Sequence, residues 1–155
     1  MADADPVRLP MGVGVELQKA GTLLTEELTK VYQELVGALL YLYTGTRPDI
    51  AYAVGRLTRY LSAPNVDHLA AARVVLRYLK GTRFLGICYQ ADGELHGYCD
   101  ADFAADVDTQ RSTSGLVFIY NGGGVVWGRN LQPTVAASKT EAEYIASTVA
   151  AKEAV

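Results

Sequence analysis

The hydrophobic period of this chain changes once, at Gly81, and that single change limits the fold more than any other feature. Before Gly81 apolar residues recur at three- and four-residue steps; after it they fall in short β-branched and aromatic runs separated by turn residues. Helices followed by strands, rather than alternating with them, predict an α+β fold. Residues 1–29 show no sustained period, and Pro6, Pro10, Gly12, Gly14 and Gly21 read as a loop or extended lead-in. Tyr32, Leu35, Val36, Leu39, Leu40 and Leu42/Tyr43 predict an amphipathic helix from Val31, N-capped by Thr29 and stopped by Thr44-Gly45-Thr46. Pro48 suits the first turn of a second helix, with Ile50, Ala51, Val54, Leu57 and Leu61 on its inner face. Asn65 is placed to cap a third, with Leu69, Ala72, Val75/Leu76 and Leu79 inward and Gly81 as its terminator.

Beyond Gly81, four strands are predicted: Phe84 to Tyr89, Leu95 to Asp102, Ser112 to Tyr120 and Val125 to Arg129, with a less regular extended piece from Pro133 to Ala137. Asn121-Gly122-Gly123-Gly124 reads as a hairpin loop. Ser138 or Thr140 then caps a final helix, with Glu141 and Glu143 in its first turn, that runs on to Val155. The resulting organisation is a lead-in (1–29), a helical subdomain (30–83) and a strand-rich domain (84–155).

A chain of 155 residues with 50% hydrophobic and 20% charged residues is long and apolar enough to bury a core. The longest apolar run, Leu35 to Tyr43, is broken by Gly37 and falls far short of the roughly 18 residues a bilayer span needs. The first residues carry acids and no basic stretch, so a secretory signal is not expected and the predicted location is intracellular. Two cysteines make no disulfide framework; Cys88 and Cys99 fall in predicted strands and are expected to be buried. The net charge of −3 conceals an asymmetry, because residues 47–83 hold seven bases against two acids. A polyanion contact is therefore permitted in the middle third alone.

Two groups of residues are candidates for chemistry. Asp100 and Asp102 share one face of a predicted strand, Asp106 and Asp108 follow in its loop, and Glu141 and Glu143 open the last helix. Hard divalent cations require several such oxygens; the competing reading is a set of solvated turn and helix-start acids. Arg73, Arg77 and Lys80 form one stripe on the third helix, with Arg56 and Arg59 on the second. The stripe fits either a sequence-independent phosphate contact or a solvated helix face. His68 and His96 lack partners at metal-ligand spacing, and Trp127 and the ten tyrosines are most simply core residues.

The order of motifs resembles copia-type LTR retrotransposon Pol polyproteins. The segments that carry the resemblance are 32–42 (YQELVGALLYL), 46–54 (TRPDIAYAV), 71–82 (AARVVLRYLKGT), 97–104 (GYCDADFA), 111–115 (RSTSG), 132–136 (QPTVA) and 139–144 (KTEAEY). It implies that the helical part corresponds to the thumb and connection of a reverse transcriptase, which grips duplex nucleic acid. It implies that the second part opens a ribonuclease H domain, which cuts the RNA strand of an RNA–DNA hybrid with Mg2+ or Mn2+. Asp100 and Glu141 would then be catalytic metal ligands, with Asp102 as a further metal ligand, and Arg73, Arg77, Lys80, Arg56 and Arg59 would contact nucleic acid.

The resemblance also marks departures. The polymerase palm would lie upstream of residue 1, two of the four acids of a ribonuclease H would lie beyond Val155, Phe103 stands where the family carries Trp, and Val31 inserts one residue before the first motif. The expectation is a three-helix subdomain followed by an incomplete ribonuclease H-like antiparallel sheet with one packed helix. The expected function is a partial Pol product, inactive as an isolated chain, with magnesium weakly held. The alternative is a non-catalytic nucleic-acid-binding or protein-interaction module derived from a transposon. A parallel neighbour for strand 95–102 is missing, so self-association through that open edge is expected.

Overall fold

The first helix begins earlier than its apolar stripe implies. In the computed structural model, which describes residues 4–91 and 93–154, α1 spans Glu26–Gly45 and is capped by Thr25, whose hydroxyl accepts from the Leu28 N–H at 3.4 Å. Thr29, the expected cap, lies inside the helix, where its N–H donates to the Thr25 carbonyl at 2.8 Å. The extra turn is polar and shows no apolar period, but Glu26 and Glu27 stand at the positive end of the helix dipole and Lys30 pairs with Glu26 at 3.1 Å.

Pro48 opens a 3₁₀ turn (Pro48–Ile50) that runs into α2 (Ala51–Leu57) and a second 3₁₀ turn (Thr58–Tyr60). Helix α3 (Val66–Gly81) starts from a reciprocal cap: the Asn65 side chain accepts from the His68 N–H, and His68 Nδ1 accepts from the Asn65 N–H, both at 3.0 Å. The helix closes on Thr82, not on a left-handed Gly81. Gly81 matters for a different reason, since a Cβ there would stand 2.9 Å from the Pro6 ring. The three helices bury Tyr32, Val36, Leu39, Ile50, Val54, Leu57 and Val75 together with Met11 and Leu17 of the lead-in.

The chain divides into two compact units between Gly86 and Ile87. In the second, β1 (His96–Asp102), β2 (Thr113–Tyr120) and β3 (Gly123–Leu131) form an antiparallel sheet in the order β1-β2-β3. Residues 84–89, expected as a strand, are irregular and mostly exposed. The hairpin still uses the end of this segment: the Tyr89 hydroxyl donates to Gly124 O in β3 at 2.8 Å, and the next residue, Gln90, donates its N–H to Asn121 O in the turn at 2.6 Å. Pro133 to Ala137 is likewise not a strand.

Tyr120 pairs with Gly123, which leaves the two-residue loop Asn121-Gly122 with φ of 52° and 77°. Both values are the left-handed conformation that a tight hairpin turn requires and that Asn-Gly supplies with least strain. Ser138 caps α4 (Lys139–Glu153), accepting from the Glu141 N–H at 3.1 Å. The helix, expected to run on to Val155, ends at Glu153 with Ala154 as its C-cap, and Val155 lies outside the described residues. Helix α4 packs on β1 and β2 through Ala142 and Ala146 against Ala101, with Ala136 alongside.

Candidate functional site

Side chains alternate along β1, so Ala101, which packs under α4, fixes the orientation of its neighbours. Cys99 lies on the same side, its Sγ 3.6 Å from the Ser147 hydroxyl of α4. Asp100 and Asp102 therefore project from the opposite side, and both are exposed. The glutamates at the start of α4 differ from one another. Glu141 is committed to the helix start, its Oε2 accepting from the Ala137 N–H at 2.7 Å. Glu143 lies one turn from Ser147 and lines an open groove of about 360 Å³ with Lys139, Thr140, Tyr144 and Ser147. Glu143 is half-buried, whereas Glu141 is exposed.

The loop acids separate into two roles. Asp106 is buried, and its Oδ1 accepts from the Asp108 N–H at 3.1 Å, a side-chain-closed turn within the 103–112 loop. The same loop holds Ala104 and Gln110 at φ of 50° and 56°, and Ala104 N–H donates to the buried Ser112 hydroxyl at 3.1 Å. Asp106 is structural. Among the described residues no group of three or more His, Cys, Asp or Glu side chains stands close enough to hold a metal ion. Asp100 and Asp102 thus stand as a pair of exposed strand carboxylates, while Glu141 is bonded at the start of α4. A second hollow, about 340 Å³, lies between residues 10–17 and α3 against Met11, Leu17, Ala71 and Val74, remote from these acids in the chain.

The basic residues also sort by burial. Arg73 is exposed. Arg77 Nε donates to Asp5 O at 2.7 Å and Lys80 Nζ to Ala4 O at 2.9 Å, so the lead-in lies along this face of α3 and Pro6 seats against Gly81. Arg56 contradicts the expectation of a phosphate contact: only 4% exposed, it is packed in the helical core with its Nη1 3.3 Å from the Tyr52 hydroxyl. Arg59 is half-buried. A guanidinium inside the core cannot meet a phosphate backbone. The cysteine expectation is corrected as well, since Cys88 and Cys99 are both exposed. Of the ten tyrosines, Tyr32, Tyr60 and Tyr78 are buried, whereas Tyr41, Tyr52, Tyr89, Tyr98, Tyr120 and Tyr144 are exposed.

Two polar networks carry no signal in the hydrophobic period. In the first unit Arg47 grips Asp49 with both arms of its fork, at 2.9 and 2.7 Å, and reaches Thr82 through its hydroxyl at 2.6 Å and its carbonyl at 3.2 Å. Tyr78 donates to the same carboxylate at 2.8 Å. The Asp49 hydrogen bond, opposed by burial, raises the Arg47 pKa. Burial alone would raise the Asp49 carboxyl, but the hydrogen bonds from Arg47 and Tyr78 and the charge of Arg47 hold it below the ordinary carboxylate range. Burial and the bond to Asp49 push the Tyr78 hydroxyl up. In the second unit Gln132, 2% exposed, donates to Ser114 Oγ and to Ala142 O, each at 2.9 Å, tying β2 to α4. Arg47-Pro48-Asp49 and Gln132-Pro133 both lie in segments that carry the family resemblance, which is the signal that marks them.

Three relatives define what class of protein this is. The chain is 43% identical, over 99% of its length, to the retrovirus-related Pol polyprotein from transposon TNT 1-94 of Nicotiana tabacum, and spans 12% of that protein. It is 41% identical, over 93% of its length, to the Pol polyprotein from transposon RE1 of Arabidopsis thaliana, and spans 10% of it. It is 48% identical, over 80% of its length, to secreted RxLR effector protein 161 of Plasmopara viticola, and this match covers 89% of that shorter protein. No protein-family model and no solved structure matches the chain. These relatives support a retrotransposon Pol origin, and the chain spans about a tenth of the length of the Pol polyproteins it matches. No helix among the described residues is long and apolar enough to cross a membrane.

Proposed function

We propose that this chain is a partial Pol product whose second unit derives from a ribonuclease H and does not cut nucleic acid by itself. The observation that carries this reading is the placement of Asp100 and Asp102 as exposed carboxylates on the face of β1 turned away from α4, with no third carboxylate among the described residues gathered to them. Magnesium binds through one or two carboxylates plus substrate phosphates and keeps most of its water. Asp100 and Asp102 supply that minimum and nothing more. Mg2+ or Mn2+ would be held weakly, and catalysis would require a partner or further chain bringing the missing acids.

A second reading has its own support. Arg73, Arg77 and Lys80 lie along one side of α3, and the effector relative is a protein of comparable span rather than a polyprotein. A non-catalytic module that grips duplex or hybrid nucleic acid through this stripe would lose affinity steeply with salt. One experiment separates the two. An RNA–DNA hybrid is incubated with magnesium and either wild type or Asp100→Asn, and both cleavage and retention of the hybrid are measured. The expected result is no cleavage by either protein. Cutting by wild type that Asp100→Asn abolishes would overturn the inactive reading. Salt-sensitive retention that survives Asp100→Asn but is lost in Arg73→Ala/Arg77→Ala supports the binding module; no retention at low salt removes it.

A further inference from the structure

We propose that His68 is an acid-released latch: while neutral it fastens residues 17–24 to the start of α3, and on taking up a proton it lets them go. The ring is fully buried, and its Nδ1 accepts from the Asn65 N–H at 3.0 Å. A backbone nitrogen can only donate, so Nδ1 must carry a lone pair and the imidazole must be the neutral Nε2–H form. An imidazolium has two N–H groups and no acceptor. It would turn a donor toward a donor and set a charge inside the core. The cap and the charged ring are therefore incompatible.

The lead-in hangs on the same few residues. The Asn65 side-chain amide donates to Gln18 O at 3.2 Å and to Ala20 O at 2.8 Å, while its oxygen accepts from the His68 N–H at 3.0 Å. Backbone bonds continue the seam, from Leu24 N–H to Pro64 O at 3.0 Å and from Val66 N–H to Thr22 O at 3.1 Å. At the other end the Tyr60 hydroxyl donates to Leu17 O at 2.7 Å, and the Tyr60 ring stacks on His68 at 3.9 Å. Expelling the His68 ring thus loosens Asn65 and Tyr60 together, whereas the cluster of Val36, Leu39, Ile50, Val54 and Leu57 has no titrating member. Release bares Leu17, now 3% exposed, and takes away one wall of the hollow of about 340 Å³ beside α3. The titratable groups facing the ring are the phenols of Tyr60 and, at 6.4 Å, of Tyr32 on α1, both neutral near pH 7. Burial, with Tyr60 beside it, pushes the Tyr32 hydroxyl further up. Asp67 next to His68 on α3, and Glu16 and Lys19 on the lead-in, are exposed.

Once released, His68 takes its proton near the ordinary histidine value of about 6.5, so the open form gains about tenfold between roughly pH 7.5 and roughly pH 5.5. The latch is closed above this window and is lost as pH falls through it. The test is amide hydrogen exchange on the full-length protein across the window, corrected for the intrinsic rate at each pH, with the His68 imidazole followed by nitrogen NMR. Protection of the Leu24, Asn65, Val66 and His68 amides is expected to fall about tenfold toward acid, and at every pH to stay below that of Val36 and Leu39 in α1. His68→Gln keeps an acceptor at the same capping position without a titrating group, and there the tenfold fall is expected to vanish. An imidazole that becomes charged while those four amides keep their protection overturns the proposal. So does wild-type protection that is flat across the window, or a fall that persists in His68→Gln. Equal protection of the four amides and of α1 also overturns it, because His68 would then open only with the whole unit. The imidazole measurement needs no variant, so wild type decides the matter where the glutamine chain does not fold.

Discussion

The two units solve the problem of burial differently. The first buries Tyr32, Leu39, Ile50, Leu57, Val54 and Val75, and anchors the polar ends of its aromatics: Tyr32 donates to Leu57 O and Tyr60 to Leu17 O, each at 2.7 Å, while the His68 ring stacks on Tyr60 at 3.9 Å. The second buries four alanines, with Ile145 half-buried beside them, and leaves Tyr98, Val125, Val126, Tyr120 and Tyr144 exposed. Each buried methylene contributes about 0.8 kcal/mol, so a leucine-and-tyrosine core outweighs an alanine core several-fold. The first unit closes a core of large side chains; the second is a sheet packed by one helix, in which β1 pairs with β2 alone among the described residues.

The largest predicted effect follows from that contrast. Leu57→Ala removes a fully buried side chain from the helical core and should cost about 3 kcal/mol. The loss should be confined to the first unit. Hydrogen exchange resolved by residue checks this: amides of α1 to α3 should exchange faster, with those of β1 to β3 unchanged. Equal acceleration in the strands would show one cooperative core and break the comparison.

The second unit should fail through a polar residue instead. Gln132→Ala leaves the Ala142 carbonyl and the Ser114 hydroxyl without their buried donor and should cost about 2 kcal/mol. Exchange should then rise in β2 and α4. A neutral outcome would mean that the alanine packing alone holds this unit.

How much of this was legible in the residues depended on which force set each element. Apolar spacing gave the three helices and their inner faces, because burial of a stripe is what makes them helices. It missed residues 26–29, where the helix is set by a threonine cap and dipole-matched acids. It made a strand of residues 84–89, since six apolar and glycine residues in a row satisfy a strand pattern without the ladder that would confirm it. Asn65 as a cap and Asn121-Gly122 as a turn were legible because their chemistry is local. Burial of Arg56 was not, since charge pattern alone cannot tell a solvated face from a stem packed between helices. Asp100 and Asp102 were placed on one exposed strand face by period two alone; that Glu141 would close its own helix start was implied by the Ser138-x-x-Glu141 spacing.

The smallest effect concerns acid. Asp49 has its carboxyl held below the ordinary range in the folded first unit, so the folded state binds its proton less readily than the unfolded state does. The stabilisation it provides is fully present above the unfolded value and is lost as pH falls toward the folded one. Because the Asp49 side chain is 33% exposed, solvent screens the pair with Arg47, and Asp49→Asn should cost only about 1 kcal/mol at neutral pH. Urea melts of the first unit at neutral and strongly acidic pH decide the matter. Wild type should lose stability between them, and Asp49→Asn should lose less, so that the two converge in acid. Parallel losses would assign acid sensitivity to other carboxylates and detach the Arg47–Asp49–Tyr78 network from the stability of the helical unit.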